Sequence, residues 1–303
     1  MLTKQDESAE AILDKRKLQT LGVLLPIRLS ALSFFSGRHP LGRAGEGMRF
    51  LRTRPFEPGE DNPRDIDKFS PPGQVWINEW EAEAQASVLV YADVSASMDF
   101  APKAGLRNLA LLQLTYSLWR ATDRVRTVLF CADTRETVAQ RNLKGQLERL
   151  MDRLSATGMR QGLDAIEVLS AHAARMQPVR DDLVFMVSDF CPVADRSLDE
   201  DAQTWRLAQR AIPCDIVPVI ISFELATEQH GSIRLWDAER RKHRLTLLTP
   251  ARIERINSAE AERVARLEHL FRRLGMDYLK LKHDKDVYPA LETLARWRRR
   301  RRN

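Results

Sequence analysis

The chain has 303 residues, 44% of them hydrophobic and 30% charged, which supports one or two buried cores and excludes disorder as the main state. Lys and Arg number 48 against 42 Asp and Glu, a formal net charge of +6, and Arg296, Arg298, Arg299, Arg300, Arg301 and Arg302 account for all of it. Three cysteines (Cys131, Cys191, Cys214) without CxxC spacing argue against a disulfide framework or a structural zinc site.

A short charged helix is expected from near Ser8, marked by Ala9, Ile12, Leu13 and Leu18. The polar start reads as no secretory signal, and Pro26 and Arg28 break the apolar stretch Leu21 to Phe35 before it could span a bilayer. A cytoplasmic protein with reduced thiols is therefore expected. Between Ser36 and Gly73, glycines and prolines interrupt a run of charges, so this N-terminal extension is expected to be mostly loop. Its Phe50, Phe56, Ile66 and Phe69 suggest that it packs against something.

From Trp76 strands and helices alternate. Ser87 to Ala92, Val125 to Ala132, Leu183 to Ser188 and Asp215 to Ser222 are short apolar runs of the kind found in buried parallel strands. Arg135 to Val138 is expected to pair beside the second. Helices are expected at Lys103 to Arg120, Gly145 to Leu154, Gly162 to Met176 and Glu200 to Ala211. A hairpin follows (Ile233 to Asp237, His243 to Leu248), then a helix from Pro250 to Leu274 capped by Thr249. Met276 to Leu281 reads as an edge strand, and Val287 to Trp297 as a last helix running into the arginines. This order implies an α/β fold with a doubly wound, mostly parallel sheet and helices on both faces. The expected organisation is an extension over residues 1–84 and an α/β domain over 85–303, with the hairpin inserted near 230–248.

Ligands of open α/β sheets collect at the carboxyl ends of the strands. There the first strand runs into Asp93-Val94-Ser95-Ala96-Ser97, and the third into Ser188-Asp189. Two carboxylates and two alternate hydroxyls make an all-oxygen set, which suits a hard ion such as Mg²⁺ or Mn²⁺. An ion held this way keeps charge enough to accept a carboxylate from a partner.

Asp93-x-Ser95-x-Ser97 with Asp189 resembles the metal-ion-dependent adhesion site of von Willebrand factor A domains. The upstream segments Arg54-Pro55-Phe56-Glu57-Pro58-Gly59-Glu60-Asp61, Arg64-Asp65-Ile66-Asp67 and Glu79-Trp80-Glu81 narrow the resemblance to a bacterial subfamily, the domain of unknown function fifty-eight. Such proteins are often encoded beside MoxR-type AAA+ ATPases, and one kind, the MxaS type, occurs in methanol-oxidation clusters. The resemblance implies a non-catalytic, metal-dependent interaction module. Its partners would be a MoxR-type ATPase and a client, a methanol dehydrogenase in the narrower case. It also implies a Thr ligand before the next helix; here Thr157-Gly158-Met159-Arg160 leaves Thr157 as the candidate, with Met159 in the usual place.

Other readings carry less. A metal-dependent hydrolase could be built on Asp93 and Asp189, but Ser95 stands where an aspartyl nucleophile would want its acid. No Gly-x-Ser-x-Gly elbow and no Walker loop is present. The arginine tail reads as a solvated terminus rather than a nucleic-acid site. The six histidines lack metal-binding spacing. The segment Arg52 to Asp67 reads as a turn pinned by Arg–Asp pairs, and Cys191 as a small strand-end residue.

Overall fold

The computed structural model describes residues 36–84, 86–99, 101–120, 124–132, 134–140, 142–156, 165, 167, 168, 171, 183–191, 198–211, 214–226, 228, 231–237 and 242–300. The helix expected near Ser8, most of the one expected over Gly162 to Met176, and the segment with Thr157, Met159 and Arg160 lie outside these residues.

Alternation along the apolar strands sets the architecture. In β3 (Ser87–Asp93), Val88, Val90 and Ala92 enter one hydrophobic cluster, while Leu89 and Tyr91 enter another on the opposite face. The same division holds for β4 (Arg124–Cys131), β6 (Leu183–Ser188) and β7 (Asp215–Ile221). Strands apolar on both faces must be covered twice. One face is covered by α1 (Ala101–Arg120), α2 (Leu143–Ser155) and α5 (Val287–Arg300), the other by α3 (Leu198–Ala211) and α4 (Pro250–Arg273).

The sheet has the order β10-β7-β6-β3-β4-β5, where β5 is Thr134–Val138 and β10 is Leu279–Leu281. All neighbours are parallel except the β4–β5 edge pair. The chain leaves β3 toward β4 and later returns to β6 on β3's other side. The gap between β3 and β6 is therefore the switch point, where open α/β sheets form their crevice.

Local chemistry explains the element ends. Thr249 accepts a hydrogen bond from the Arg252 amide at 3.3 Å and Pro250 occupies the first turn, so α4 starts as expected. It stops at Gly275, whose φ of +67° lets the Met276 amide donate back to the Phe271 carbonyl at 2.9 Å. The hairpin forms from β8 (Gly231–Asp237) and β9 (Lys242–Leu248).

Two expectations are corrected. Residues expected to be loop form β1 (Ser36–Pro55), antiparallel to β2 (Trp76–Ala84) in a two-stranded ribbon. Glycine and proline are tolerated because β1 pairs on one side only and its register shifts repeatedly, at Ser36/His39, Pro40/Ala44, Ala44/Arg49 and Phe50/Arg52. The second concerns one residue of the arginine tail, Arg298. Helix α5 continues to Arg300, and Arg298 is buried, with Nη1 3.3 Å from Asp215 and Nε 3.2 Å from Asp277. That arginine ties the last helix to the sheet and is not part of a solvated run.

The turn after β1 is pinned as the sequence suggests, with one partner added. The Arg54 guanidinium forks onto both Asp61 carboxylate oxygens at 2.9 and 2.5 Å, and its Nε donates to Glu79 at 2.6 Å. Arg52 donates to the other Glu79 oxygen at 2.6 Å. These two cations hold the Glu79 carboxyl below its ordinary range. Asp61 also accepts from the Glu57 amide at 2.8 Å. In Arg54→Ala, hydrogen exchange at the Glu57 amide should speed up by about ten-fold while core amides keep their protection. Unchanged exchange at Glu57 would show that the clasp does not hold the turn.

Candidate functional site at the switch point

Asp93 closes β3 and Ser188-Asp189 closes β6, on either side of the switch point. Asp93, Ser95, Ser188 and Asp189 are all buried, and Ser97 is exposed at the rim. The Val94 amide still donates to the Phe130 carbonyl at 2.9 Å, continuing the ladder. The chain then turns, as the Met98 and Asp99 amides donate to the Ser95 carbonyl at 3.0 and 3.2 Å. This turn brings Ser95 Oγ within 3.1 Å of Ser97 Oγ.

Each aspartate is fixed by short bonds. Asp93 Oδ1 accepts from the Ser95 amide at 2.9 Å, and Oδ2 from the Ser188 hydroxyl at 2.7 Å. Ser188 Oγ in turn accepts from the Phe190 amide at 3.0 Å, while the Cys191 amide donates to Asp189 Oδ1 at 3.0 Å. Both amides are aimed by a left-handed residue, Phe190 at φ 53°, an unfavourable conformation for a side chain of this size. Its ring is anchored against Trp205 and Phe271, at centroid distances of 6.0 and 5.5 Å.

Cations complete the cluster. Lys103, in the first turn of α1, is buried and donates from Nζ to Asp189 Oδ2 at 2.7 Å. One turn later Arg107, also buried, reaches Asp99 Oδ1 at 3.2 Å and the Asp93 carbonyl at 3.4 Å. From α4, Arg263 donates to the Asp189 carbonyl and pairs with Glu260 at 2.6 Å.

The two carboxylates are thereby driven apart. Burial and the Asp189 charge push Asp93 up to about 6, against the hydrogen bonds from Ser188 and Ser95. Burial also works to raise Asp189, but Lys103, the Cys191 amide and Arg263 outweigh it and hold that carboxyl below its usual range. Cys191 is exposed as a residue, yet desolvation of its thiol and the Asp189 charge push it up to about 12, so it is no ready nucleophile.

The structure brings together four of the five sequence candidates: Asp93, Ser95, Ser97 and Asp189. Thr157 lies outside the described residues. Asp93, Ser95 and Ser97 present one carboxylate and two adjacent hydroxyls, a donor set that fits a hard divalent ion. Asp189 is less free, because Lys103 already holds one of its oxygens. Among the described residues no three His, Cys, Asp or Glu side chains gather as a metal cluster, so any ion here relies on the serines. Lys103 and Arg107 were missed at the level of sequence. Two cations four residues apart at the start of a helix mark a shared face, but the carboxylate that receives Lys103 lies 86 positions away and leaves no local sign of burial.

Residues 52–268 match the family described as Protein of unknown function DUF58. The chain belongs to that family. No curated protein matches it. Among solved structures, it is similar to an aerotolerance-related membrane protein from Bacteroides fragilis at 12% identity and a TM-score of 0.42, over 70% of this chain and 99% of that one. BatB from Bacteroides thetaiotaomicron is similar at 12% identity and a TM-score of 0.40, over 71% and 99% of the two chains. Manganese-loaded TRAP protein from Plasmodium vivax is similar at 18% identity and a TM-score of 0.32, over 44% and 57%. No described helix of this DUF58 chain is long and apolar enough to cross a membrane.

The raised Asp93 carboxyl gives a stability test. Its folded form binds a proton more tightly than the unfolded form, so its contribution is complete below about pH 3.8 and is lost as pH rises through about 6. That displacement is worth roughly 3 kcal/mol at neutral pH. Asp93→Asn keeps the acceptor for the Ser95 amide without the buried charge. The variant should therefore unfold at higher temperature than wild type in metal-free buffer at pH 7.5, with the gain shrinking toward pH 4. A variant less stable than wild type at pH 7.5 would contradict this.

Proposed function

We propose that this DUF58 protein is a non-catalytic interaction module that uses the strand-end cluster to grip a partner's acidic side chain through a divalent ion. Asp93, Ser95 and Ser97 would hold Mg²⁺ or Mn²⁺, with Asp189 acting at one remove, and Thr157 is kept as a further candidate ligand. The ion supplies a hard Lewis-acidic position that a partner carboxylate can complete. The chain's own residues preorganise it: the Ser95 amide and Ser188 hydroxyl aim Asp93, and the turn after Val94 sets the two serine hydroxyls side by side.

The observation that carries this reading is the exposure of Ser97 at the mouth of an otherwise buried oxygen cluster. A partner can reach the site there without opening the core. Metal-dependent hydrolysis fits less well. Both Asp189 oxygens are engaged, by Lys103 and the Cys191 amide, and the Cys191 thiol is held protonated; Asp93, the one carboxyl pushed up to about 6, is buried and aimed by the Ser95 amide and the Ser188 hydroxyl to hold the ion.

The family resemblance of the upstream segments supports a MoxR-type AAA+ ATPase as the partner, acting in the cytoplasm on a client enzyme during assembly or metal loading. A methanol dehydrogenase is the client if the MxaS-type likeness holds. In a purified pair with such an ATPase, Mg²⁺ should promote complex formation, and Ser97→Ala should weaken it by about ten-fold with little change in melting temperature. Affinity indifferent to both chelator and Ser97→Ala would overturn the reading.

A further inference from the structure

Lys103 is not explained by a site that merely waits for an ion. Its ammonium is buried in the same cluster, 2.7 Å from Asp189 Oδ2 and 5.1 Å from the centre of the Phe223 ring, two contacts with the ends of β6 and β7. A buried cation with a carboxylate on one side and an aromatic face on the other sits in a made place. The charge balance around it is informative. Four carboxylates of the cluster (Asp93, Asp99, Asp189, Glu260) face three cations (Lys103, Arg107, Arg263) among the described residues. A divalent ion added while Lys103 stays would leave positive charge in excess. Exchanging the ammonium for the ion leaves four charges of each sign, so a partner carboxylate is taken by the ion's open coordination position and not by surplus charge.

We propose that Lys103 is a built-in counter-cation that competes with the divalent ion for the Asp189 carboxylate, so that metal uptake requires Lys103 to withdraw. This rests on the reading of Asp93, Ser95 and Ser97 as ion ligands and sets how that site is regulated. With Lys103 in place the cluster is held together without metal. With Lys103 withdrawn, Asp189 is freed to support the ion and its water. The lysine stem is long enough to reach another position, because Nζ is joined to the helix by four rotatable methylene groups. Divalent affinity of the resting protein is then low by construction, and any partner that draws Lys103 outward raises it.

The test is Mn²⁺ binding to the full chain, followed by loss of the free-ion electron paramagnetic resonance signal and by the ion-induced rise in melting temperature. It compares wild type, Lys103→Met, and Lys103→Met combined with Asp93→Asn. Lys103→Met keeps the stem and removes the charge. Lys103→Gln, which retains an N–H for Asp189, carries the test should the methionine variant fail to fold. The expected result is Mn²⁺ affinity at least about ten-fold tighter in the Lys103 variant, lost again when Asp93→Asn is added. Equal or weaker affinity in the variant, with wild type binding, would overturn the competition and leave the ion site standing. No binding in any form would overturn both.

Discussion

Two aspartates end adjacent buried strands of this protein, and their charges cannot be left unopposed in so dry a place. The Lys103–Asp189 pair is the constraint from which the rest of the site follows. It takes the ammonium from the first turn of α1 and the carboxylate from the end of β6, so it joins a helix on one face to the sheet's switch point. Asp93 is pushed up to about 6 first by its own burial and then by the charge that Lys103 keeps on Asp189. Arg107 and Arg263 serve the main-chain carbonyls of the same two aspartates, and each is balanced by an acid of its own.

The backbone is shaped to the same end. Phe190 takes a left-handed conformation that a glycine would adopt more easily, but glycine could not fill the aromatic cluster with Trp205 and Phe271. The ring fixes the turn from below, and the turn aims the Phe190 and Cys191 amides at Ser188 and Asp189. Packing on the α3–α4 face and polar geometry at the strand ends are thus coupled through a single residue.

Much of this was readable from the residues. The apolar runs at β3, β4, β6 and β7 specify buried strands because only a doubly covered sheet tolerates them, and Asp93 and Asp189 stand out by closing two of those runs. What escaped reading did so for physical reasons. Lys103 looks like a solvent-facing charge to any periodicity argument, since its carboxylate partner lies 86 positions away. Arg298 is hidden in a run of arginines, and only the fold shows Asp215 and Asp277 beside it. The glycines and prolines of β1 speak against a strand, but a two-stranded ribbon with repeated register shifts has room for them.

The most direct test of this account is a double-mutant cycle by urea unfolding in metal-free buffer, with Lys103→Met, Asp189→Asn and both together. Removing one partner of a buried pair leaves the other uncompensated, at a cost of about 3–5 kcal/mol. The account predicts that each single variant is strongly destabilised and that the double variant recovers at least about 2 kcal/mol of the summed loss. Strictly additive losses would contradict it, and would mean that the two residues do not hold the switch point together.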